Sequence, residues 1–567
     1  MCLQIEIAFS VPEQTKRVAL AAFPNGNLYL QMRDELGTLF TDDDFVKLYP
    51  KRGQPALAPW RLALVTVMQF IEDLSDRQAA DAVRARIDWK YALGIELTDP
   101  GFHYSVLSEF RSRLIANDVG QMLLDKVLTH LRGRKLLKPR GRQRTDSTHV
   151  LAAIRVMNRL ELVTETLRAA LNKLAAVSPD WLRSIAPAEW YTRYSLRAEQ
   201  TRMPSGEKAR RELAEAIGRD GYRLLAELEA QKKEAGKTDL QALAVVQTLR
   251  QVWERHFVRS EADEILWRAD AELGRAATAV ESPYDAQARH SNKHDLSWTG
   301  YKVHLTETCD PELPRLITNV HTTVATTQDV SCTKEIQQHL ADRDLLPQRH
   351  LVDTGYVDAH LLVESQQRHE IELFGPTRYN PSWQAREGGY DQSRFVVDWE
   401  KEQATCPEGK VSVWWGADGP KADRPNAERP EAASSGPDER ARLKVRFRQS
   451  DCAACHNRAK CVRSEAGRPR TLVLPVRECY EALQQARTLL SSEAGRAEYR
   501  KRAGIEGTLS QGVRHCDLRH SRYRGLLKTN LQHVMTATGL NVLRTVNHLN
   551  GEPLAPTRKS RFARLCA

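Results

Sequence analysis

Long apolar runs, a signal-like segment and abundant cysteine are all missing from this sequence. No apolar stretch reaches the roughly 20 residues needed to cross a bilayer, which argues against a membrane-spanning segment. The opening stretch, Met-Cys-Leu-Gln-Ile-Glu-Ile, lacks a basic region followed by a long apolar segment, so we expect no signal peptide. Ten cysteines in 567 residues are too few for a disulfide scaffold, and four of them lie in one region. These absences favour a reducing compartment and a possible metal site.

What is present has the composition of a large globular protein. Hydrophobic residues make up 41% of the chain and charged residues 28%, which are proportions typical of soluble globular proteins. A chain of 567 residues is too long for one ordinary core, so we expect three or four folding units.

Positive charge is in excess and is concentrated in two stretches. The formal net charge is +11. Seven Lys or Arg and no acid lie between Arg132 and Arg144, and eight Lys or Arg lie with two acids between Arg500 and Lys528. Such clusters permit a polyanionic partner, although an ordinary solvated surface explains each of them equally well. The candidate phosphate contacts in the first cluster are Lys138, Arg140, Arg142 and Arg144.

Residues 1–135 are predicted to form a helical N-terminal domain, which is a candidate DNA-binding domain. The run Ala56–Ile71 is rich in apolar residues, and Ser75-Asp-Arg-Gln78 has the form of a capping box before a helix over residues 78–86. Short helices with tight connections are compatible with a helix-turn-helix unit. The same pattern is also common in helical domains that bind nothing.

The middle of the chain combines strand and helix signals in an ordered series. The series consists of a strand with Asp146, alternating strands at residues 300–306 and 316–324, a helix at residues 332–340, and a strand with Asp353. This is the order of an α/β fold of the ribonuclease-H-like kind, a mixed sheet flanked by helices. Residues 157–280 interrupt it with apolar residues at helical spacing, which predicts an all-helical insertion.

Beyond Pro376 the composition changes. Residues 395–399, 410–415 and 443–447 are short strand candidates, and residues 416–437 are rich in Gly, Pro, Ala and charge, which is typical of a flexible loop. We therefore expect residues 377–475 to form a β-rich insertion with a cysteine cluster. The sheet domain would consist of its first strand in residues 136–156, its continuation in residues 281–376 and a helical C-terminal part in residues 476–567.

Three carboxylates, those of Asp146, Asp353 and Glu506, are the candidate catalytic groups. Two divalent ions held about 4 Å apart by carboxylates can activate an attacking oxygen and stabilise a leaving one during phosphodiester displacement. Hard ions such as Mg²⁺ need oxygen ligands, which Asp and Glu supply. Each acid alone is better explained as a surface or capping residue, but the three fit one architecture together. His149 near the first acid could support it or simply pack in the core.

The sequence around Glu506 is unusual. Gly504 and Gly507 flank it, and each costs a helix roughly 1 kcal/mol relative to Ala. Such glycines are expected where DNA backbone or metal approaches closely. On one helix Tyr499, Arg502 and Glu506 would lie at i, i+3 and i+7 and share a face. The guanidinium would be well shaped to bind a phosphate, and an exposed ion-pair face is the ordinary alternative.

Four blocks of the sequence carry a resemblance to a known family. They are RTDSTHV around Asp146, YDAQARHSNKHDLSWTGYKVHLTETCD, HLVDTGYVD around Asp353, and EYRKRAGIEGTLSQGVRHCDLRHSRYRGLLKTNLQHV around Glu506. With these blocks the sequence resembles bacterial insertion-sequence transposases of the DDE branch, whose third acid lies in a Tyr-x2-Arg-x3-Glu-x6-Lys motif. Residues 40–115 resemble the helical N-terminal domain of that family.

The resemblance implies roles for particular residues. The implied metal-binding catalytic triad and its neighbours are Asp146, Asp353 and Glu506, with Tyr499 and Arg502 beside them. The sequence departs from the motif at one position, because the motif's lysine falls on Val513. Arg514, the next residue, is the candidate replacement as a phosphate contact.

The resemblance also implies a two-step reaction on DNA. Water would first cut a strand at the end of a mobile element, and the freed 3′-hydroxyl would then attack target DNA, with two Mg²⁺ or Mn²⁺ ions as cofactors. The implied partners are double-stranded DNA, as terminal inverted repeats and target, and a second copy of the chain, in the bacterial cytoplasm at the nucleoid and away from membranes. A DNA-binding descendant that no longer cuts and a nuclease that cuts without joining stay open as alternatives.

The cysteine cluster predicts a second kind of metal site. Cys406, Cys452, Cys455 and Cys461 could converge on a structural zinc ion, with His456 as a possible replacement ligand. Only one C-x2-C pair is present, so buried free thiols remain the alternative.

Overall fold

The computed structural model describes the chain in two compact units. It describes every residue except 1, 4, 6–9, 232–238, 274–275, 294, 418–441, 465–466, 554–560, 563–564 and 566–567. Unit 1 consists of Met1–Lys138, Asp146–Thr327 and Ile505–Ala567, and unit 2 consists of Pro139–Thr145 and Gln328–Gly504.

Unit 1 begins with a group of helices. These are α1 (Glu13–Ala22), α2 (Leu28–Leu36), α3 (Pro59–Ile71), α4 (Asp76–Ala85), α5 (Ile87–Leu93), α6 (Ser105–Ala116) and α7 (Met122–Gly133). The apolar helix α3 is almost entirely buried, as its composition predicts. The predicted capping box at α4 is confirmed, because the Ser75 hydroxyl accepts from the backbone N–H of Gln78 and the Gln78 side chain returns to Ser75.

Strand β1 (Arg140–Leu151) is followed by a helical segment that ends in a hairpin. The helices are α8 (Arg159–Val177), α9 (Pro179–Ile185), α10 (Ala188–Tyr194), α11 (Glu207–Ala230) and α12 (Ala244–His256), and the antiparallel hairpin consists of β2 (Phe257–Arg259) and β3 (Ile265–Trp267). The expectation of an all-helical insertion was therefore wrong at its C-terminal end. A turn with Asp263 at φ 60° reverses the chain there, and Phe257 and Ile265 approach α11 at Gly218.

Three antiparallel strands of unit 1 lie beside the later residues of β1. They are β4 (Arg289–Lys293), β5 (Leu296–Thr308) and β6 (Ile317–Val324); β4 and β6 pair with β5, and β5 neighbours β1. The strands predicted from alternation at residues 300–306 and 316–324 are confirmed. Gly300 permits the close approach, because a Cβ there would lie 2.1 Å from the carbonyl oxygen of Val150.

The sheet of unit 2 is parallel. Its elements are α13 (Asp329–Asp342), β7 (Pro347–Leu351), α14 (Ala359–His369) and β8 (Glu372–Phe374). Strand β7 lies between β8 and the first residues of β1, and both pairings are parallel. With the antiparallel strands of unit 1, this makes the chain a mixed α/β protein, as predicted.

A small β-rich region follows in unit 2. Its elements are α15 (Trp383–Arg386), β9 (Val396–Asp398), β10 (Gln403–Thr405), β11 (Trp414–Ala417), β12 (Arg442–Arg446), α16 (Gln449–Ala453), α17 (Arg458–Cys461) and β13 (Thr471–Pro475). Strands β9 and β10 form a hairpin, and β11, β12 and β13 form an antiparallel sheet. The predicted flexible loop at residues 416–437 lies outside the described residues from position 418 onward.

Helices complete both units. Unit 2 ends with α18 (Arg477–Ser491) and α19 (Glu493–Arg500), and unit 1 ends with α20 (Ile505–His515) and α21 (Leu526–Leu549). Helix α21 is buried over most of its length and reaches α3, since a Cβ at Gly539 would lie 2.8 Å from Ile71 Cγ1. Within the described residues, every helix is too short or too polar to cross a bilayer.

Candidate functional site

Asp146, the first candidate acid, lies within β1 and belongs to unit 1. Its side chain is half-buried, and its Oδ1 accepts a hydrogen bond from the backbone N–H of Ser147 at 2.8 Å. His149, three residues later, lies against Trp298 with 5.7 Å between the ring centroids. Burial, followed by the positive charge of Arg519, lowers the pKa of His149. This environment favours the packing role that the sequence left open for His149.

Asp353, the second acid, lies two residues after the end of β7 in unit 2. Its Oδ1 accepts from the backbone N–H of Gly355 at 2.8 Å and so caps the short 3-10 turn Thr354–Tyr356. Gly355 leaves room for a second carboxylate, because a Cβ there would lie 2.9 Å from Asp353 Oδ1 and 3.3 Å from Asp329 Oδ2. Sequence reasoning missed Asp329, because the predicted helix over residues 332–340 begins three residues after it, whereas α13 begins at Asp329.

Glu506, the third acid, is exposed in the first turn of α20. An acid at this position interacts favourably with the unsatisfied N–H groups of a helix N-terminus. The helix that carries it is anchored further along, where Thr508 and Gln511 contact Arg544 of α21 at 2.7 Å and 2.8 Å. The buried carboxylate of Glu307 in β5 accepts from the Thr508 hydroxyl as well.

The expected single helical face with Tyr499, Arg502 and Glu506 is wrong. Tyr499 lies in α19, Arg502 lies in a 3-10 segment over Lys501–Gly504, and Glu506 lies in α20. The tighter 3-10 turn changes the direction in which successive side chains project, so the i, i+3, i+7 rule does not apply across it. Tyr499 lies near Phe374 instead, at 6.4 Å between ring centroids.

The two glycines around Glu506 have different surroundings from those expected. A Cβ at Gly504 would lie 2.1 Å from Arg144 Nη1, so this glycine makes room for the protein's own guanidinium. A Cβ at Gly507 would meet no described heavy atom within 4 Å. Of these two glycines, Gly507 is therefore the one with room beside it for an approaching molecule.

Two arginines of the basic cluster before Asp146 bind residues of unit 2. Arg144 is buried and donates to the carbonyl oxygen of Lys501, so the expected surface contact to phosphate does not fit its side chain. Arg142 pairs with the Glu498 carboxylate at 3.3 Å.

The outer part of the same cluster is more accessible. Arg140 is exposed but donates to the carbonyl oxygens of His369 at 2.8 Å and Glu370 at 2.6 Å. Lys138, and Arg514 from the second basic stretch, are both exposed. These two have the accessibility that a phosphate contact requires.

The cysteine cluster lines one cavity in unit 2. The cavity has a volume of about 350 Å³, and its lining includes Cys406, Cys452, Cys455, Cys461 and His456. His456 is largely exposed and lies 3.6 Å from a Glu408 oxygen. The pKa of the Cys461 thiol is raised to about 11, chiefly by burial; the positive charge of Arg470 opposes this shift and the other three thiols add to it.

The candidate ligands include both carboxylates and thiols. In the part of the chain that the structure describes, no three His, Cys, Asp or Glu side chains are arranged as a ready set of ligands. The donor types nevertheless suit different ions, since carboxylates match Mg²⁺ or Mn²⁺ and thiolates match Zn²⁺.

Comparison with protein families found two matches. Residues 17–113 match a family described as Transposase domain (DUF772), and residues 425–546 match one described as Transposase DDE domain. The first match falls in the N-terminal helices, and the second includes Glu506 and three of the clustered cysteines. Asp146 and Asp353 lie outside both matched ranges. Comparisons with curated proteins and with solved structures found no match.

Proposed function

We propose that this chain, an insertion-sequence transposase of the DDE type, binds terminal inverted repeats and catalyses DNA strand cleavage and transfer. The proposed catalytic residues are Asp146, Asp353 and Glu506. Their strands and helix would form the edge of a ribonuclease-H-like catalytic domain, and residues 1–135 would bind DNA.

The parallel register of β1 and β7 carries this proposal. Arg144 of β1 is the partner of Leu351 of β7. Asp146 lies two residues after Arg144, and Asp353 lies two residues after Leu351. Two residues of extended chain span at most about 7 Å. Each aspartate therefore lies within a short distance of the paired residues, which suits a site that both aspartates share. Glu506, at the start of α20, would complete it.

The reaction would proceed in two displacements at phosphorus. In the first, the oxygen of water forms a bond to the phosphorus at the element's end, and the 3′-oxygen leaves as a hydroxyl. In the second, that 3′-hydroxyl forms a bond to a target phosphorus and displaces the target's own 3′-oxygen. Two divalent ions supply activation of the attacking oxygen and stabilisation of the leaving one. The carboxylates would hold and orient these ions, since Mg²⁺ and Mn²⁺ prefer oxygen ligands.

The charge distribution supports DNA as the partner. A net charge of +11 favours association with a polyanion. The exposed side chains of Lys138 and Arg514 belong to the two basic stretches. We expect a homodimer to act, because two element ends have to be held together during transfer.

An end-cleavage assay tests the proposal. The DNA that flanks the open reading frame provides candidate inverted repeats, which are labelled and incubated with the protein and Mg²⁺. Asp353→Asn and Glu506→Gln are expected to abolish cleavage and joining while leaving DNA binding within about twofold, because only the reacting groups are removed. Glu493→Gln, an exposed acid in the first turn of α19, is the control and retains both activities.

The outcomes separate this function from its alternatives. Normal cleavage by either variant at a triad position would contradict the site assignment. Binding without any cleavage by the wild-type protein would favour a DNA-binding descendant, and cleavage without joined products would favour a nuclease.

A further inference from the structure

Four cysteines from two separate segments of unit 2 line the same cavity. Cys406 lies in the turn after β10, where its N–H donates to the carbonyl oxygen of Lys410 at 2.8 Å. Cys452 lies in α16, Cys455 follows that helix, and Cys461 ends α17. A hairpin turn and a pair of short helices thus meet at one cavity of about 350 Å³.

Backbone amides are directed at two of the sulfurs. The N–H of Lys410 donates to Cys406 Sγ at 3.3 Å, and the N–H of Arg470 donates to Cys452 Sγ at 3.5 Å. A neutral thiol is a weak acceptor, whereas a thiolate carries the charge that an amide dipole stabilises. The side chain of Arg470 adds positive charge near the Cys461 and Cys452 sulfurs. Two of the four sulfurs therefore accept hydrogen bonds from backbone amides.

One carboxylate at the cavity is already paired. The Glu408 carboxylate accepts from the Tyr390 hydroxyl and from the Asn457 amide, each at 2.8 Å. The His456 side chain is 81% exposed and faces that same carboxylate at 3.6 Å. These contacts leave the thiols as the groups with the strongest preference for a soft or borderline metal ion.

We propose that Cys406, Cys452, Cys455 and Cys461 bind one Zn²⁺ ion as a structural tetrathiolate site. Four sulfur ligands satisfy the tetrahedral preference of Zn²⁺ and leave no open position for a substrate, so the ion has no part in the reaction on DNA. The sulfurs line the cavity without yet forming a completed centre. Rotation between the staggered positions of each Cys side chain moves its sulfur, so metal binding would draw the four together.

The site would hold the small β-rich region together. Among the described residues of this region, a core cluster includes Phe395, Val445 and Leu474, with Cys406, Cys452 and Cys461 packed against it. A structural metal commonly adds stability to small domains. Zinc would tie the turn after β10 to the helices α16 and α17.

Metal analysis of the full-length protein tests this inference. Protein purified under reducing conditions with zinc present is expected to contain about one zinc per chain. Cys455→Ser and Cys461→Ser are expected to lose at least about 90% of it, because a structural site rarely tolerates loss of a thiolate. Cys479→Ser is the control, since that buried cysteine lies in α18 outside the cavity lining. The control variant is expected to keep its zinc.

Cobalt substitution provides a readout that does not depend on the variants. Wild-type protein reconstituted with Co²⁺ alone is expected to show the intense visible absorption of tetrahedral thiolate coordination, and added Zn²⁺ should abolish it. A wild-type protein without zinc, a cobalt spectrum typical of six oxygen ligands, or disulfides among these cysteines under reducing conditions would each overturn the proposal. Loss of DNA cleavage has no bearing on these results, so they are independent of the proposed function.

Discussion

Arg544 of α21 donates through Nη1 to Oε2 of Glu307 in β5 at 3.0 Å, and the carboxylate is completely buried. The same Oε2 accepts from the Thr508 hydroxyl of α20, and the guanidinium also binds the Gln511 side chain of α20. A buried charge pair, joined by two side chains of a third element, therefore anchors the helix that begins beside Glu506. All of these residues belong to unit 1.

Removing one partner of this pair is expected to lower the stability strongly. Arg544→Met leaves the Glu307 carboxylate buried without its charge partner, and such losses cost about 3–5 kcal/mol. Arg544→Met combined with Glu307→Met is expected to cost less than the sum of the single changes, because no unpaired charge remains. Urea unfolding of the four proteins measures the coupling.

The control for this prediction is Glu215→Gln, which breaks the surface pair with Arg211. It is expected to cost less than about 0.5 kcal/mol. Additive effects of the changes at Arg544 and Glu307 on the unfolding free energy would contradict the prediction.

Gly300→Ala is expected to destabilise unit 1 by more than about 1 kcal/mol. Gly300 has φ +154°, and a Cβ there would lie 2.1 Å from the carbonyl oxygen of Val150 and 2.6 Å from the amide nitrogen of Ala152. Both atoms are backbone, so β1 and β5 would have to separate. The matched control is Gly507→Ala, which meets open space and is expected to stabilise α20 by up to about 1 kcal/mol. Thermal unfolding measures both; tolerance at Gly300 would show that the strands can yield.

The stability of unit 1 is expected to fall as the pH drops below about 6.5. Burial lowers the pKa of His533 from the ordinary value of 6.5 to about 3. In the unfolded chain this side chain takes up a proton near its ordinary pKa, whereas in the folded chain it does so only near pH 3. Its contribution is therefore fully present above about pH 6.5 and is lost progressively as the pH falls toward 3, by at most about 1.4 kcal/mol per pH unit.

The variant His533→Asn tests the sign of this effect. The slope of unfolding free energy against pH, between about pH 4 and pH 6, is expected to become shallower in the variant. The exposed His515→Asn is the control, and its slope should match the wild type. A slope that is unchanged by His533→Asn would show that this histidine is not the group whose protonation is linked to unfolding.

The dependence of DNA binding on salt is expected to distinguish exposed from buried arginines. Each phosphate contact contributes to the slope of log affinity against log salt concentration, so Arg514→Ala should reduce that slope by about 1. Arg183→Ala, an exposed residue in α9, is the control and should leave the slope unchanged. A binding titration at several salt concentrations measures both, and an unchanged slope for Arg514→Ala would remove this residue from the DNA interface.

Arg144 should behave differently from Arg514. Because its guanidinium is buried and donates to the Lys501 carbonyl, Arg144→Ala is expected to lower the unfolding free energy of the protein by about 1–3 kcal/mol, the range for leaving a buried polar group unpaired. Each of these arginines belongs to one of the two basic stretches of the sequence, and burial separates their roles.

Local features of the fold could be predicted wherever one segment encodes them. The capping box at Ser75 and the alternation through Tyr301, Val303 and Leu305 depend on neighbours a few residues away, and both predictions are confirmed. Predictions that assumed a continuous helical period failed where a helix ends or is interrupted. The helical pattern after His256 ends in a hairpin, and the helix through Tyr499 is interrupted before Glu506.

The sequence by itself determined the residue chemistry: the excess of positive charge, the candidate acids, the clustered thiols and the periodicity of most helices and strands. Only the tertiary structure decided which side chains are committed to internal partners. It pairs Glu307 with Arg544, which are 237 residues apart, and it buries Arg144 while leaving Arg514 exposed. Periodicity reports the face of one element, whereas burial and charge pairing depend on which distant elements pack against it.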